Sequence, residues 1–119
     1  MDERLSKALD FSNYMVTLNN QKRVIKEQYE QDLIFYYNGG QFTLTQEFIS
    51  FCHTLISLDQ STAILTDDNS TPIEVNDLAN FTIDVTSQYF EASNKYHAEY
   101  VKLKTTRSVE GIVKVWRKA

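Results

Sequence analysis

Glycine and proline are nearly missing from this chain, and their positions partition it. The 119 residues hold three glycines, Gly39, Gly40 and Gly111, and one proline, Pro72. Inside a helix glycine costs about 1 kcal/mol and proline about 3 kcal/mol, so a stretch that lacks both can continue a helix without penalty. Residues 1–38 and 73–110 lack both. In each stretch apolar residues recur every three or four positions, which places them along one side of a helix. Two long helices are therefore the expected skeleton.

The first predicted helix covers 3–37. Phe11, Met15, Leu18, Ile25, Tyr29 and Tyr36 follow alternating steps of four and three, with Lys22 and Asp32 in the gaps. Mixed charges at Lys22, Arg23, Lys26, Glu27 and Glu30 read as a solvated face. One unbroken helix over this range would span about 50 Å, against a radius of gyration of roughly 13–14 Å for a compact domain of this size. The sequence predicts either a break near Asn19-Asn20 or an elongated molecule whose apolar stripe is covered by a partner. The second reading is adopted here.

Asn38-Gly39-Gly40 reads as the stop of that helix, with glycine supplying a left-handed C-cap. Thr43, followed three residues later by Gln46, reads as a capping box that opens a helix over 44–58. Its apolar content (Leu44, Phe48, Ile49, Phe51, Cys52, Leu55, Ile56 and Leu58) predicts the most buried element. Residues 62–66 and 71–75 flank the polar run Asp67-Asp68-Asn69-Ser70 and predict a β-hairpin, with Pro72 at an edge. Asn76 or Asp77 caps a third helix over 77–105. Its stripe is Leu78, Phe81, Val85, Tyr89, Ala92, Tyr96, Tyr100 and Leu103. In the tail, Val109, Ile112, Val113, Val115 and Trp116 favour a strand. The expected fold is one mainly helical α+β domain over 1–119: long helix, short apolar helix, hairpin, long helix, C-terminal strand.

Chemistry-bearing motifs are scarce. The single Cys52 rules out an internal disulfide and a multi-cysteine zinc site. Cys52 and His53 are helix neighbours that point about 100° apart, so they read as a buried thiol beside a polar-face histidine. The other histidine, His97, lies off the stripe of its helix. Asp67-Asp68-Asn69 matches only the opening of a calcium loop: Pro72 stands where glycine is required and Leu78 where glutamate is. Gly39-Gly40 lacks the remaining parts of a phosphate loop. No enzyme activity, metal or cofactor is expected. No apolar run approaches the roughly 18 residues needed to cross a bilayer. No secretory signal pattern is visible, so a cytoplasmic location without membrane association is the expectation.

Charge and aromatic content point towards partners. Residues 1–94 carry five Lys/Arg against fourteen Asp/Glu, a net of −9, while 95–119 carry seven against two, a net of +5. Opposite charges of this kind can pair within one molecule, pair between subunits, or present a basic end to an anionic partner. Aromatic residues make up 13%, including seven tyrosines, which suit half-buried surfaces. The candidate interface is Phe11, Met15, Leu18, Tyr29, Tyr36, Tyr89, Tyr96 and Tyr100, with a second copy of the chain as the favoured partner. A second reading, ranked below it, is nucleic-acid binding through Lys95, Lys102, Lys104, Arg107, Lys114, Arg117 and Lys118.

Three stretches carry a resemblance: residues 9–43 (LDFSNYMVTLNNQKRVIKEQYEQDLIFYYNGGQFT), 67–78 (DDNSTPIEVNDL) and 99–113 (EYVKLKTTRSVEGIV). Together they resemble a group of uncharacterised small proteins of T-even-like marine cyanophages and related ocean metagenome sequences. The resemblance implies a phage protein made in a bacterial cytoplasm. It implies one of two roles, a virion, assembly or infection-accessory component with phage or host proteins as partners, or a regulator of host or phage nucleic-acid metabolism, and assigns no functional residue.

Overall fold

The computed structural model describes residues 3–106. The predicted C-terminal strand, with Arg107, Lys114, Arg117 and Lys118, lies outside the described residues. The elements are α1 (Glu3–Asp32), β1 (Ile34–Tyr37), β2 (Gly40–Thr43), α2 (Gln46–Ser57), β3 (Ala63–Thr66), β4 (Pro72–Val75) and α3 (Leu78–Thr106). The fold is α+β and mainly α, as the sequence predicts. The chain divides into two compact units. Unit 1 is Met1–Gln28 with Lys95–Ala119, and unit 2 is Tyr29–Asn94.

Unit 2 holds both hairpins and the main core. The first hairpin corrects the sequence reading. Residues 34–37 leave the helix and form β1, which pairs antiparallel with β2 in the register Ile34↔Thr43 to Tyr37↔Gly40. Asn38 and Gly39 link them, with φ of 47° and 79°. Two consecutive left-handed residues are the signature of a two-residue type I′ turn, so Asn38-Gly39 turns a hairpin and does not cap a helix. The β preference of Ile34-Phe35-Tyr36-Tyr37, joined to that turn, outweighs the continuing helical step. Tyr36 thereby leaves the stripe and points outward, 72% exposed. Phe35 and Tyr37, on the opposite face of the strand, pack against the core.

The end of α1 is closed from a distance. The Gln88 side chain on α3 donates to the Asp32 carbonyl at 2.9 Å and to the Ile34 carbonyl at 2.8 Å. These carbonyls border the point where helix gives way to strand and would otherwise be short of partners. Tyr29 hydroxyl meets Ser93 Oγ at 3.3 Å. As the α1 number rises from 29 to 32 its α3 partner falls from 93 to 88, so the two helices run antiparallel in unit 2.

The second hairpin forms where the sequence predicts it, β3 pairing β4 from Ala63↔Val75 to Thr66↔Pro72. Its turn binds the outer edge of β2. Asp67 Oδ2 accepts the Gln41 N–H, and Asp68 Oδ1 accepts the Thr43 N–H, each at 3.1 Å. The Asp68 N–H returns to the Gln41 carbonyl at 2.8 Å. Two aspartates thus stand in for a third strand and cover an edge that would otherwise be open.

Helix α2 starts two residues later than predicted. Thr45 is the N-cap, its hydroxyl accepting the Phe48 N–H at 3.0 Å. Thr43 sits at the end of β2 and donates its hydroxyl to Asp68 at 2.6 Å, so the Thr43–Gln46 capping box does not form. Nor is α2 the most buried element. Its apolar residues cover more of its circumference than one packing side can hide. Cys52 is buried, while Phe51 and the C-cap residue Leu58 remain 52% and 62% exposed. Phe81 of α3 lies at the centre of the core, edge-on to Phe35, Tyr37, Phe42 and Phe48 with ring centroids 5.1–6.1 Å apart. Leu44, Val75, Leu78 and Val85 are fully buried around it.

Unit 1, over its described residues, is the first part of α1 with the last part of α3. Helix α1 continues through Asn19-Asn20 without a break, and its 30 residues span about 45 Å. Leu18 and Leu103 are buried, at 2% and 7% exposure.

Candidate functional site

The buried seam of α1 follows the predicted stripe. Met15, Lys22, Ile25, Tyr29 and Asp32 are half-buried and Leu18 is buried, whereas Phe11 near the N-terminus is 45% exposed. In unit 1 the Lys22 ammonium lies 6.0 Å from the Tyr100 ring centroid. Tyr96 and Tyr100 meet edge-on at 6.4 Å. In unit 2 Tyr29 bonds to Ser93, and Tyr89 packs against the core. Met15, Leu18, Tyr29, Tyr89 and Tyr96 are therefore largely occupied within the chain. Phe11, Tyr36 and Tyr100 are the members of the candidate interface that stay exposed.

The sequence reading missed a second set of apolar residues, opposite the seams. Leu5, Leu9 and Val16 stand on the outer side of α1, 45–56% exposed. Ile83 and Phe90 stand on the outer side of unit 2's part of α3, 62% and 60% exposed. Leu9 and Val16 are seven residues apart, as are Ile83 and Phe90. Seven residues are close to two helical turns, so each pair forms a row about 10 Å long. The spacing is legible in the sequence, but the stronger buried stripes hide it.

Charge is divided between the units. Unit 2, residues 29–94, contains ten Asp/Glu and not one Lys or Arg. In unit 1 the described residues carry eight Lys/Arg against four Asp/Glu. Of the predicted basic contacts, Lys95, Lys102 and Lys104 lie on the last turns of α3. Lys102 pairs with Glu99 at 3.8 Å on the surface, and Lys104 in the final turn complements the helix dipole. An open groove of about 520 Å³ in unit 1 is lined by Asn20, Gln21, Val24, Glu99, Lys102 and Leu103 among others.

Burial pushes the Cys52 thiol above its ordinary pKa, against a smaller opposite effect of its hydrogen bond with Thr82. A thiol held protonated is a poor nucleophile. His53 Nε2 meets Thr86 Oγ1 at 3.2 Å, and His97 is exposed. The Asp67 and Asp68 carboxylates are taken up by N–H and O–H groups of the two hairpins. Among the described residues no group of three or more His, Cys, Asp or Glu could hold a metal ion. No described helix is long and apolar enough to cross a membrane. No protein-family model, curated protein or solved structure matches this chain.

Proposed function

We propose that this protein acts by association, without catalysis, as a self-associating interaction module. The observation that carries the reading is the pair of exposed apolar rows, Leu9–Val16 on α1 and Ile83–Phe90 on α3. One exposed leucine is ordinary. Apolar side chains repeated at helical spacing are what helix-on-helix docking uses. The resemblance to cyanophage proteins supports a place in virion assembly or as an infection accessory, with phage or host proteins as further partners. Sedimentation velocity at tens of micromolar tests the reading. A dimer or larger species is expected, and a strict monomer ends it.

A second reading is favoured by the excess of cations in unit 1. There the basic residues of α3 would contact phosphates of a nucleic acid, and Tyr96 and Tyr100, already in contact with each other, would add little stacking. Titration with single- and double-stranded DNA and RNA at two salt concentrations separates the readings. Binding that falls steeply with salt and is lost in a Lys102→Gln/Lys104→Gln variant supports nucleic-acid recognition. The absence of binding at low salt removes it.

A further inference from the structure

Resting on the self-association reading, we infer that the contact is heterologous: unit 1 of one copy docks, through the outer row of α1, on the outer row of α3 in unit 2 of another copy. Three observations point there. The first is matched geometry. Leu9 and Val16 form an exposed i, i+7 pair on α1, and Ile83 and Phe90 form another on α3. Rows of equal repeat can interdigitate along two packed helices.

The second is local charge. Residues 3–28 of α1 carry Arg4, Lys7, Lys22, Arg23 and Lys26 against Glu3, Asp10 and Glu27, a net of +2. Residues 80–94 of α3 carry Asp84 and Glu91 and no cation. Asp84 directly follows Ile83, and Glu91 directly follows Phe90. A carboxylate row therefore runs beside the apolar row at the same spacing. On α1 the outer row continues from Val16 to Arg23 by one further step of seven. Arg23 pairs with Glu27 at 3.7 Å, both side chains about two-thirds exposed. A surface pair of this kind is worth little and yields readily to a desolvated partner.

The third is the charge of the units as wholes. Unit 2 against unit 2 would bring together two units that each carry ten Asp/Glu and no cation. Unit 1 against unit 1 would bring together two surfaces of excess positive charge. Only the mixed pairing is attractive on both sides, and opposed like charges are what excludes wrong registers. A second copy is thus the occupant that the chain itself supplies. Such a contact builds a reciprocal pair, a ring or an open chain, according to how the operation closes.

The test uses two variants of the full chain, each blocked on one side only. Leu9→Ser/Val16→Ser disables the α1 row, and Ile83→Ser/Phe90→Ser disables the α3 row. All four side chains are exposed, and unchanged circular dichroism confirms that each variant folds. In sedimentation velocity each variant alone is expected to be monomeric. Their equimolar mixture is expected to pair, because each contributes the row the other lacks. That pairing should weaken at least about tenfold between about 50 and about 500 mM NaCl. Asp84→Asn/Glu91→Gln, which leaves both apolar rows intact, should weaken the parent's association in the same sense. If one blocked variant still self-associates like the parent, the contact is between like rows and the inference falls while self-association stands. A mixture that stays monomeric, or association indifferent to salt, also overturns it. A monomeric parent overturns the inference and the reading beneath it together.

Discussion

Asp67 is 8% exposed and accepts three backbone N–H groups, those of Gln41, Asn69 and Thr71, at 2.8–3.1 Å. The Thr71 and Gln41 bonds, with a smaller contribution from Asn69, hold its carboxyl below the ordinary aspartate pKa against the opposing effect of burial. A carboxylate whose folded pKa lies below its unfolded value stabilises the fold above the unfolded pKa of about 3.9. That contribution is lost as the pH falls through the folded value. Asp67→Asn removes the charge and turns an amide N–H towards donors, so it should lower the melting temperature at pH 7. Below about pH 4 the difference from the parent should begin to shrink, because the unfolded parent's carboxyl takes up a proton there, and it should close as the pH falls through the lowered folded value. Thermal melts at pH 7, 5 and 3 measure this, and a gap that stays constant with pH would refute the electrostatic account. The sequence marks Asp67 as a turn residue. It does not show that the same carboxylate binds the edge of a strand 26 positions earlier, because that contact depends on how the two hairpins pack.

At the scale of elements, the two hairpins show what sequence periodicity conveys and what it hides. The β3–β4 hairpin is legible because it stands between turn residues, apart from any helix pattern. The β1–β2 hairpin is masked because Tyr36 falls on the helical step that begins at Phe11. Asn38-Gly39 between an aromatic run and Gln41-Phe42-Thr43 was the signal that could have found it. The neighbouring glycines do different work there, which yields a paired prediction. Gly39 has φ of +79° and open space where a Cβ would stand, whereas at Gly40 a Cβ would lie 2.7 Å and 2.9 Å from Ile73 side-chain atoms. Gly39→Ala should cost about 1 kcal/mol from backbone strain, and Gly39→Asn less, since asparagine tolerates the left-handed region. Gly40→Ala should cost about 1–3 kcal/mol from overpacking against the second hairpin. Cutting Ile73 to Ala should relieve the Gly40 penalty and leave the Gly39 penalty unchanged. Urea unfolding of the single and double variants reads both, and equal coupling of the two glycines to Ile73 would contradict the assignment. For α2 the sequence shows apolar content but not how much of it is covered, so Phe51 and Leu58 could not be placed at the surface in advance.

For the whole molecule, the linear charge count sees a break at residue 95 but misses what folding does with it. The cations from Arg4 to Lys26 join Lys95, Lys102 and Lys104 in one unit, because the first part of α1 packs with the last part of α3, as Lys22 against Tyr100 shows. No composition window along the sequence contains both. The same division predicts how stability is distributed. Along α3, Leu78, Phe81, Val85 and Ala92 are buried in unit 2, while in its described residues beyond 94 only Leu103 is. Along α1 within unit 1, Leu18 is the buried residue among those described. Local opening is easiest where few apolar side chains must be exposed. Backbone amides of 82–92 should therefore exchange with deuterium at least about tenfold more slowly than those of 97–105, although both belong to one continuous helix. Amides of 5–14 in α1 should exchange fastest of the helical sites. Hydrogen-exchange mass spectrometry at low micromolar concentration, where association is least, resolves these segments by peptide. A gradient along α3 means that the thinly packed unit opens while the hairpin core holds. It would also mean that the α1 row offered to a partner rests on the less stable unit, so binding there should raise protection in unit 1 first. Uniform protection along the whole of α3 would instead mean that the two units open together, and would end the picture of independent cores.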